Sequence, residues 1–221
     1  MNTNVKVALV FSGAIVLIVI AFIVVAILQA QPPSPETEGS PAPPAASAIR
    51  EDSHILDDGG AGAVTVVEFL DFECEACGAF YPVVEDLRAE FSGQITFAIR
   101  YFPLPGHFNS KNAAIAVEAA FQQGQLEAMY KRMFETQAEW GEAQESRAAL
   151  FRQFAEELGL DLAEYDAAVA DPATAERVQS DFDDGVALGV GSPPTFFVND
   201  RMVQLTSFDD LREAIEAELG R

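Results

Sequence analysis

Hydrophobic positions follow three different patterns along the chain. The first is an unbroken run, Val7–Leu28 (VALVFSGAIVLIVIAFIVVAIL), 22 residues without a charge. In helical form, at about 1.5 Å per residue, such a run covers a hydrocarbon core of about 30 Å and predicts one membrane anchor. A cleaved signal peptide needs only about 7–15 apolar residues and small residues before the cut. Here Leu28 would stand at the third position before a cut after Ala30, which is a poor match. Lys6 and the α-amino group flank one side of the run, and Glu36 and Glu38 flank the other. The positive-inside rule then puts residues 1–6 in the cytoplasm, 7–28 in the membrane and everything after them outside the cytoplasm. Residues 29–62 form a linker and lead-in: Gln31–Ala48 is rich in proline, serine and alanine without an apolar period, and an Asp57–Gly62 turn cluster follows.

The second pattern is the short apolar run. Ala63–Leu70 (AVTVVEFL) has strand length and strand composition, and Gln94–Phe102 alternates Ile95, Phe97, Ile99 and Tyr101. Pro194–Asp200 and Met202–Leu205 form two further short runs around Asn199–Asp200, a plausible hairpin turn. The third pattern is the helical stripe. Phe80, Val83, Val84, Leu87 and Phe91 share one face, and this helix joins the first two strands into a βαβ unit with a parallel pair. From Asn109 to about Leu188 the chain reads helical throughout. Candidate helices are 110–123, 126–137, 144–158, 162–170 and 173–188, punctuated by Gly124, Gly141, Gly159 and Asp171–Pro172. A last helix carries Phe208, Leu211, Ile215 and Leu219, with Ser207 as its expected N-cap. The domain over 63–221 is therefore α/β, with a helical insertion at about 109–188 between a βαβ half and a hairpin–helix half.

Charge narrows the partners. The net charge is −22, and residues 1–62 hold only 2 basic and 6 acidic residues, so the acidity belongs to the domain. Such a surface repels phosphate backbones, which excludes nucleic acid as a partner class and leaves a solvated, solubility-promoting shell as the plain reading.

The only two cysteines, Cys74 and Cys77, are spaced C-x-x-C at the junction of the first strand and the first helix. Three readings compete. A structural zinc site is normally tetrahedral, and the two histidines, His54 and His107, lack finger spacing. An inert disulfide gains stability with loop length, and this loop is very short. A dithiol that cycles fits the position best: a sulfur at a helix N-terminus faces unpaired backbone amides and the positive end of the helix dipole, which favours the thiolate. Cys74 is then the attacking and leaving sulfur and Cys77 the resolving one. A tethered binding domain with inert cysteines stays open as an alternative.

Four segments together resemble one family, the DsbA-like branch of the thioredoxin superfamily. EFLDFECEAC resembles that family's E-F-x-x-[FY]-x-C-x-x-C, with Glu68 six residues before Cys74. Pro82 stands five residues after Cys77, where such folds carry a helix-kinking proline. PLPGHFNSKNAA (103–114) resembles the entry to the family's helical insertion, and GVGSPPTFFVND (189–200) resembles its G-x-P-T-F-F-V-N-G. The resemblance spans about 63–219. It implies a thioredoxin-like fold and thiol–disulfide exchange with secreted or envelope proteins, with oxidase as the first reading and reductase or isomerase as the second. It also implies no bound cofactor and a membrane redox partner of DsbB-like or VKOR-like type. Its site residues are Cys74, Cys77, Glu68 as a buried proton-transfer carboxylate, and Pro194 as a cis-proline facing the cysteines. Departures are informative. Glu75–Ala76 lacks the histidine that strongly oxidising relatives carry, and Glu73 and Glu75 add negative charge, so a weaker oxidant is expected. Pro193 lacks the backbone N–H expected beside the cis-proline. His107 is given no role.

Overall fold

The period-two runs assemble into one mixed sheet. The computed structural model describes residues 47–221, so the anchor expected at 7–28 and most of the linker lie outside the described residues. Among the described residues no helix is long and apolar enough to cross a membrane. The strands are β1 (His54–Asp57), β2 (Val64–Leu70), β3 (Ile95–Tyr101), β4 (Thr195–Val198) and β5 (Arg201–Met202), in the order β1-β3-β2-β4-β5. β2 and β3 are parallel, as the βαβ pattern predicts, and β4 is antiparallel to β2. β2 is central, which explains why all of it but Thr65 is buried: a strand covered on both faces has no polar side to alternate.

Helix α1 (Glu75–Glu90) connects β2 to β3 and holds Pro82 in its interior. The insertion comprises α2 (Ser110–Phe121), α3 (Leu126–Glu135), α4 (Gln137–Trp140), α5 (Ala148–Glu157), α6 (Leu162–Ala170) and α7 (Pro172–Ala187), and α8 (Asp210–Leu219) closes the chain. Asp161 caps α6 and Asp171 caps α7 through side-chain oxygens, and Pro172 occupies the first turn of α7. The hairpin turn falls at Asn199 (φ 46°) and Asp200 (φ 61°), the left-handed pair that such a turn demands.

Several local expectations change, among them the helix expected over 144–158, which begins only at Ala148, and the second hairpin strand, which is Arg201–Met202 instead of Met202–Leu205. The lead-in contains a strand, β1, antiparallel to β3; its short HILD run was too weak a period to announce it. The expected helix over 126–137 is two, split at Thr136, whose hydroxyl bonds back to the Arg132 carbonyl. The last helix starts at Asp210 instead of after Ser207, because the Asp210 carboxylate accepts the backbone N–H groups of Thr206 and Ser207 and holds them outside the helix.

The two faces of the sheet pack differently. Val66, Leu70, Phe97, Ile99 and Tyr101 join the larger core, which includes Val84 and Leu87 of α1 and the insertion's Met129, Tyr130 and Met133. Val67, Phe69, Ala98 and Phe102 face a smaller core with Phe182 and Leu188. There α7 approaches closely at Gly185, where a Cβ would come within 2.7 Å of the Phe102 ring. By period two, Glu68 shares the face of Val66 and Leu70, and Arg100 shares that of Ala98 and Phe102.

Candidate active site

Where β2 ends, the turn Asp71–Glu73 delivers Cys74 as the N-cap of α1, in extended conformation (φ −72°, ψ 122°) and without a side-chain capping bond. Its sulfur takes the place a capping oxygen would hold. The Cys77 thiol donates to it, and the backbone N–H groups of Cys77 and Ala76 face it. Against burial and the Asp71 carboxylate, these donors hold the Cys74 thiol down at about 6. Cys77 goes the other way: burial and its bond to Cys74, aided by the charge of Glu68, push it well above the ordinary thiol range. Both cysteines are free in the structure.

Cys74 keeps 7% of its surface and Cys77 none, so the sulfur at the helix mouth is itself largely covered. The loop before β4 reaches this sulfur. The Cys74 Sγ lies 3.6 Å from the Pro193 carbonyl oxygen, and the Pro193–Pro194 peptide bond is cis. Glu68 is 2% exposed, and its Oε2 has no hydrogen-bond partner among the described residues. Burial, then the charge of Glu85, raise its carboxyl to about 8 against the pull of Arg88, and the Cys74 charge adds to the rise. Cys74, Cys77, Glu68 and Pro194 are thus brought to one place.

Two residues beside them carried no functional reading in the sequence. Asp71 is fully buried; its backbone N–H points at Cys77 Sγ (3.5 Å), and its Oδ1 and Oδ2 accept the N–H groups of Glu73 (2.9 Å) and Leu104 (3.0 Å). Oδ2 also pairs with His107 Nδ1 at 2.7 Å. Burial lowers the His107 imidazole, but the Asp71 bond and the charges of Asp71, Cys74 and Glu73 outweigh it and the net direction is up. The aspartate that ends an apolar strand and the lone histidine in PLPGHFNS were the available signals, and only the fold joins them. The carboxylate chiefly opposing the Cys74 thiolate is therefore Asp71. Glu73, expected in that role, is turned to the Asn109 N–H (2.6 Å) at the head of α2.

The sequence matches the thioredoxin family model over residues 60–217, and the chain belongs to that family. BdbD from Bacillus subtilis, in its oxidised form, superposes with a TM-score of 0.67 at 22% identity, covering 76% of this chain and 94% of that one. Wolbachia pipientis α-DsbA1 gives a TM-score of 0.67 at 18% identity, covering 78% and 93%. These likenesses fix the thioredoxin-like fold of the DsbA type. A curated relative, the Na(+)/H(+) antiporter NhaA of Herminiimonas arsenicoxydans, is 36% identical over 145 residues, 64% of this chain. The chain spans about a fifth of the length of the curated relatives it matches.

Proposed function

We propose that the chain is an extracytoplasmic thiol–disulfide oxidoreductase, working as an oxidase through Cys74 and Cys77. One observation carries this: the two cysteines are pushed in opposite directions, Cys74 down to about 6 and Cys77 well up, beside a buried carboxyl raised to about 8. A substrate thiolate attacks Cys74 Sγ of the oxidised pair. The Cys74–Cys77 bond breaks, Cys77 leaves with the electron pair, and Glu68, protonated at neutral pH, supplies its proton. A second substrate thiolate then attacks the substrate sulfur of the mixed disulfide, and Cys74 leaves as the stabilised thiolate. The substrate loses two electrons and the pair gains two. A quinone-linked membrane protein of DsbB-like or VKOR-like type takes them away. The apolar run at 7–28 and the resemblance to envelope enzymes support the location, and relatives named for an ion antiporter are in keeping with work at a membrane.

Reduced or unfolded secreted proteins are the substrates. Cys77→Ala expressed in intact cells should trap them as mixed disulfides on Cys74; absence of any trapped protein would favour an inert tethered domain. The reverse direction, a reductase or isomerase fed by a membrane electron donor, has one observation in its favour. Cys74 rests at about 6, against about 3.5 for a strongly oxidising relative, with Asp71 opposing the thiolate. The potential should therefore be more negative than about −120 mV in a glutathione titration. The in-cell state decides direction: mostly disulfide means oxidase, mostly dithiol means reductase.

A further inference from the structure

Gly78 lies in the first turn of α1, where glycine is a poor helix former and needs a reason. The reason is Gln137. A Cβ on Gly78 would stand 2.0 Å from Gln137 Oε1 and 2.8 Å from its Cδ. Gln137 opens the one-turn helix α4, which Trp140 roots in the core: the indole is fully buried and meets Phe151 edge-on at 4.9 Å. From that root the amide nitrogen donates to the Phe72 carbonyl (2.7 Å) and to the Cys74 carbonyl (2.9 Å), which uses both of its hydrogens. The Cys74 carbonyl also accepts the Gly78 N–H at 3.0 Å. Two carbonyls on either side of Glu73 thus converge on one nitrogen. That fixes the peptide planes around Cys74, and with them the direction in which its Cβ and sulfur face the amides of Ala76 and Cys77.

We propose that Gln137 is a positioning residue for Cys74: its amide, reaching from the helical insertion across Gly78, locks the carbonyls of Phe72 and Cys74 and so holds the Cys74 sulfur at the amide end of α1. The inference rests on the reading of Cys74 as the attacking thiolate. It gives the insertion a chemical task besides covering the sheet. Without the tether the turn can rotate, and the sulfur loses part of its alignment with donors that count only when they point at it.

The test is the pH dependence of iodoacetamide alkylation at Cys74, followed by peptide mapping of the full reduced chain. Wild type is compared with Gln137→Ala, Gln137→Glu and Gly78→Ala. The last keeps the glutamine and displaces it from the other side. Below the wild-type midpoint, Gln137→Ala and Gly78→Ala should slow alkylation about three- to tenfold, the size of one lost neutral hydrogen bond. Rates should converge at alkaline pH, where the sulfur is ionised regardless. Gln137→Glu, which places an acceptor against two acceptors, should slow it at least as much. If both neutral variants keep the wild-type midpoint, the inference falls, even where their thermal midpoints drop, because a mere strut would do only that. A shift in Gln137→Glu alone overturns it as well, as a simple charge effect. A wild-type midpoint already at that of a free thiol sinks the functional reading, and this inference with it.

Discussion

Each face of the sheet buries an ionisable side chain, and the two are treated in opposite ways. On the α7 face, Arg100 is 0% exposed and fully partnered. Its Nε donates to Asp181 Oδ1 (2.7 Å), its Nη2 to Asp184 Oδ2 (2.6 Å), and its Nη1 to the Ser47 carbonyl (3.2 Å). Asp181, also 0% exposed, accepts the Tyr101 N–H and pairs with Arg177. On the α1 face, Glu68 is about as deeply buried, and Arg88, the cation whose charge acts on it, spends its guanidinium on Asp57, Glu85 and Glu127. The same small domain can satisfy a buried charge completely. An Oε2 left without a partner among the described residues, next to two thiols, is what the proposed proton-transfer role of Glu68 requires.

The comparison breaks most visibly on the paired side. Arg100→Ala leaves Asp181 and Asp184 without their main cation, and losing one member of a buried network costs about 3–5 kcal/mol. Urea unfolding should register that loss, while the Cys74 alkylation midpoint stays where it was. A loss under about 1 kcal/mol would mean that Arg177 and Arg50 suffice to hold the acids, and the contrast between the faces would weaken.

On the unpaired side the effect depends on pH. The Glu68 carboxyl moves from 4.5 to about 8 on folding, so between those values the folded chain binds the extra proton. Stability contributed by this group must therefore fall as pH rises through that window and flatten above it. Integrated to pH 8, the cost is at most about 4 kcal/mol. Glu68→Gln removes the titration, so the variant should be the more stable chain at pH 8, with the gap closing towards pH 4.5. Its disulfide should also be reduced by substrate thiols about a hundredfold more slowly at neutral pH, for want of a proton donor to Cys77. Parallel stability curves for the two chains from pH 4.5 to 8 would show that Glu68 is not held neutral, and the proton-transfer role would go with that result.

Much of the site was legible before the fold because it is local. Glu68, Cys74 and Cys77 lie within ten residues on one strand–turn–helix, and Pro194 sits in a segment with its own signature. The strands β2 and β3 and the long helices announced themselves by period. What was not legible depends on contacts distant in sequence. Asp71 meets His107 across 36 residues, and Gln137 meets Cys74 across 63. Neither partner has a local pattern, since one is a polar residue in a proline-broken loop and the other opens a single helical turn. Glu73 misled for the same reason: its sequence position says that it is near Cys74, while only the arrival of α2 says where its carboxylate points. β1 stayed hidden because a four-residue strand with two apolar residues is indistinguishable from a loop until β3 offers it an edge.

His107 gives the smallest effect and sharpens the comparison with a third case: a buried acid whose partner itself titrates. Asp71 is as buried as Asp181, but its cation comes and goes. Because the His107 pKa is raised on folding, the pair contributes stability that is fully present below about 6.5 and is lost as pH climbs through the folded value. With the imidazole 26% exposed, about 0.5–1 kcal/mol is expected. His107→Ala should therefore destabilise the chain by that amount at pH 5 and by much less at pH 8. It should also move the Cys74 midpoint upward by less than about one unit, since Asp71 then faces the thiolate without a counter-charge. A pH-independent loss would reduce His107 to packing. A rise at Cys74 without any change in stability would separate the tuning of the thiol from the holding of the loop.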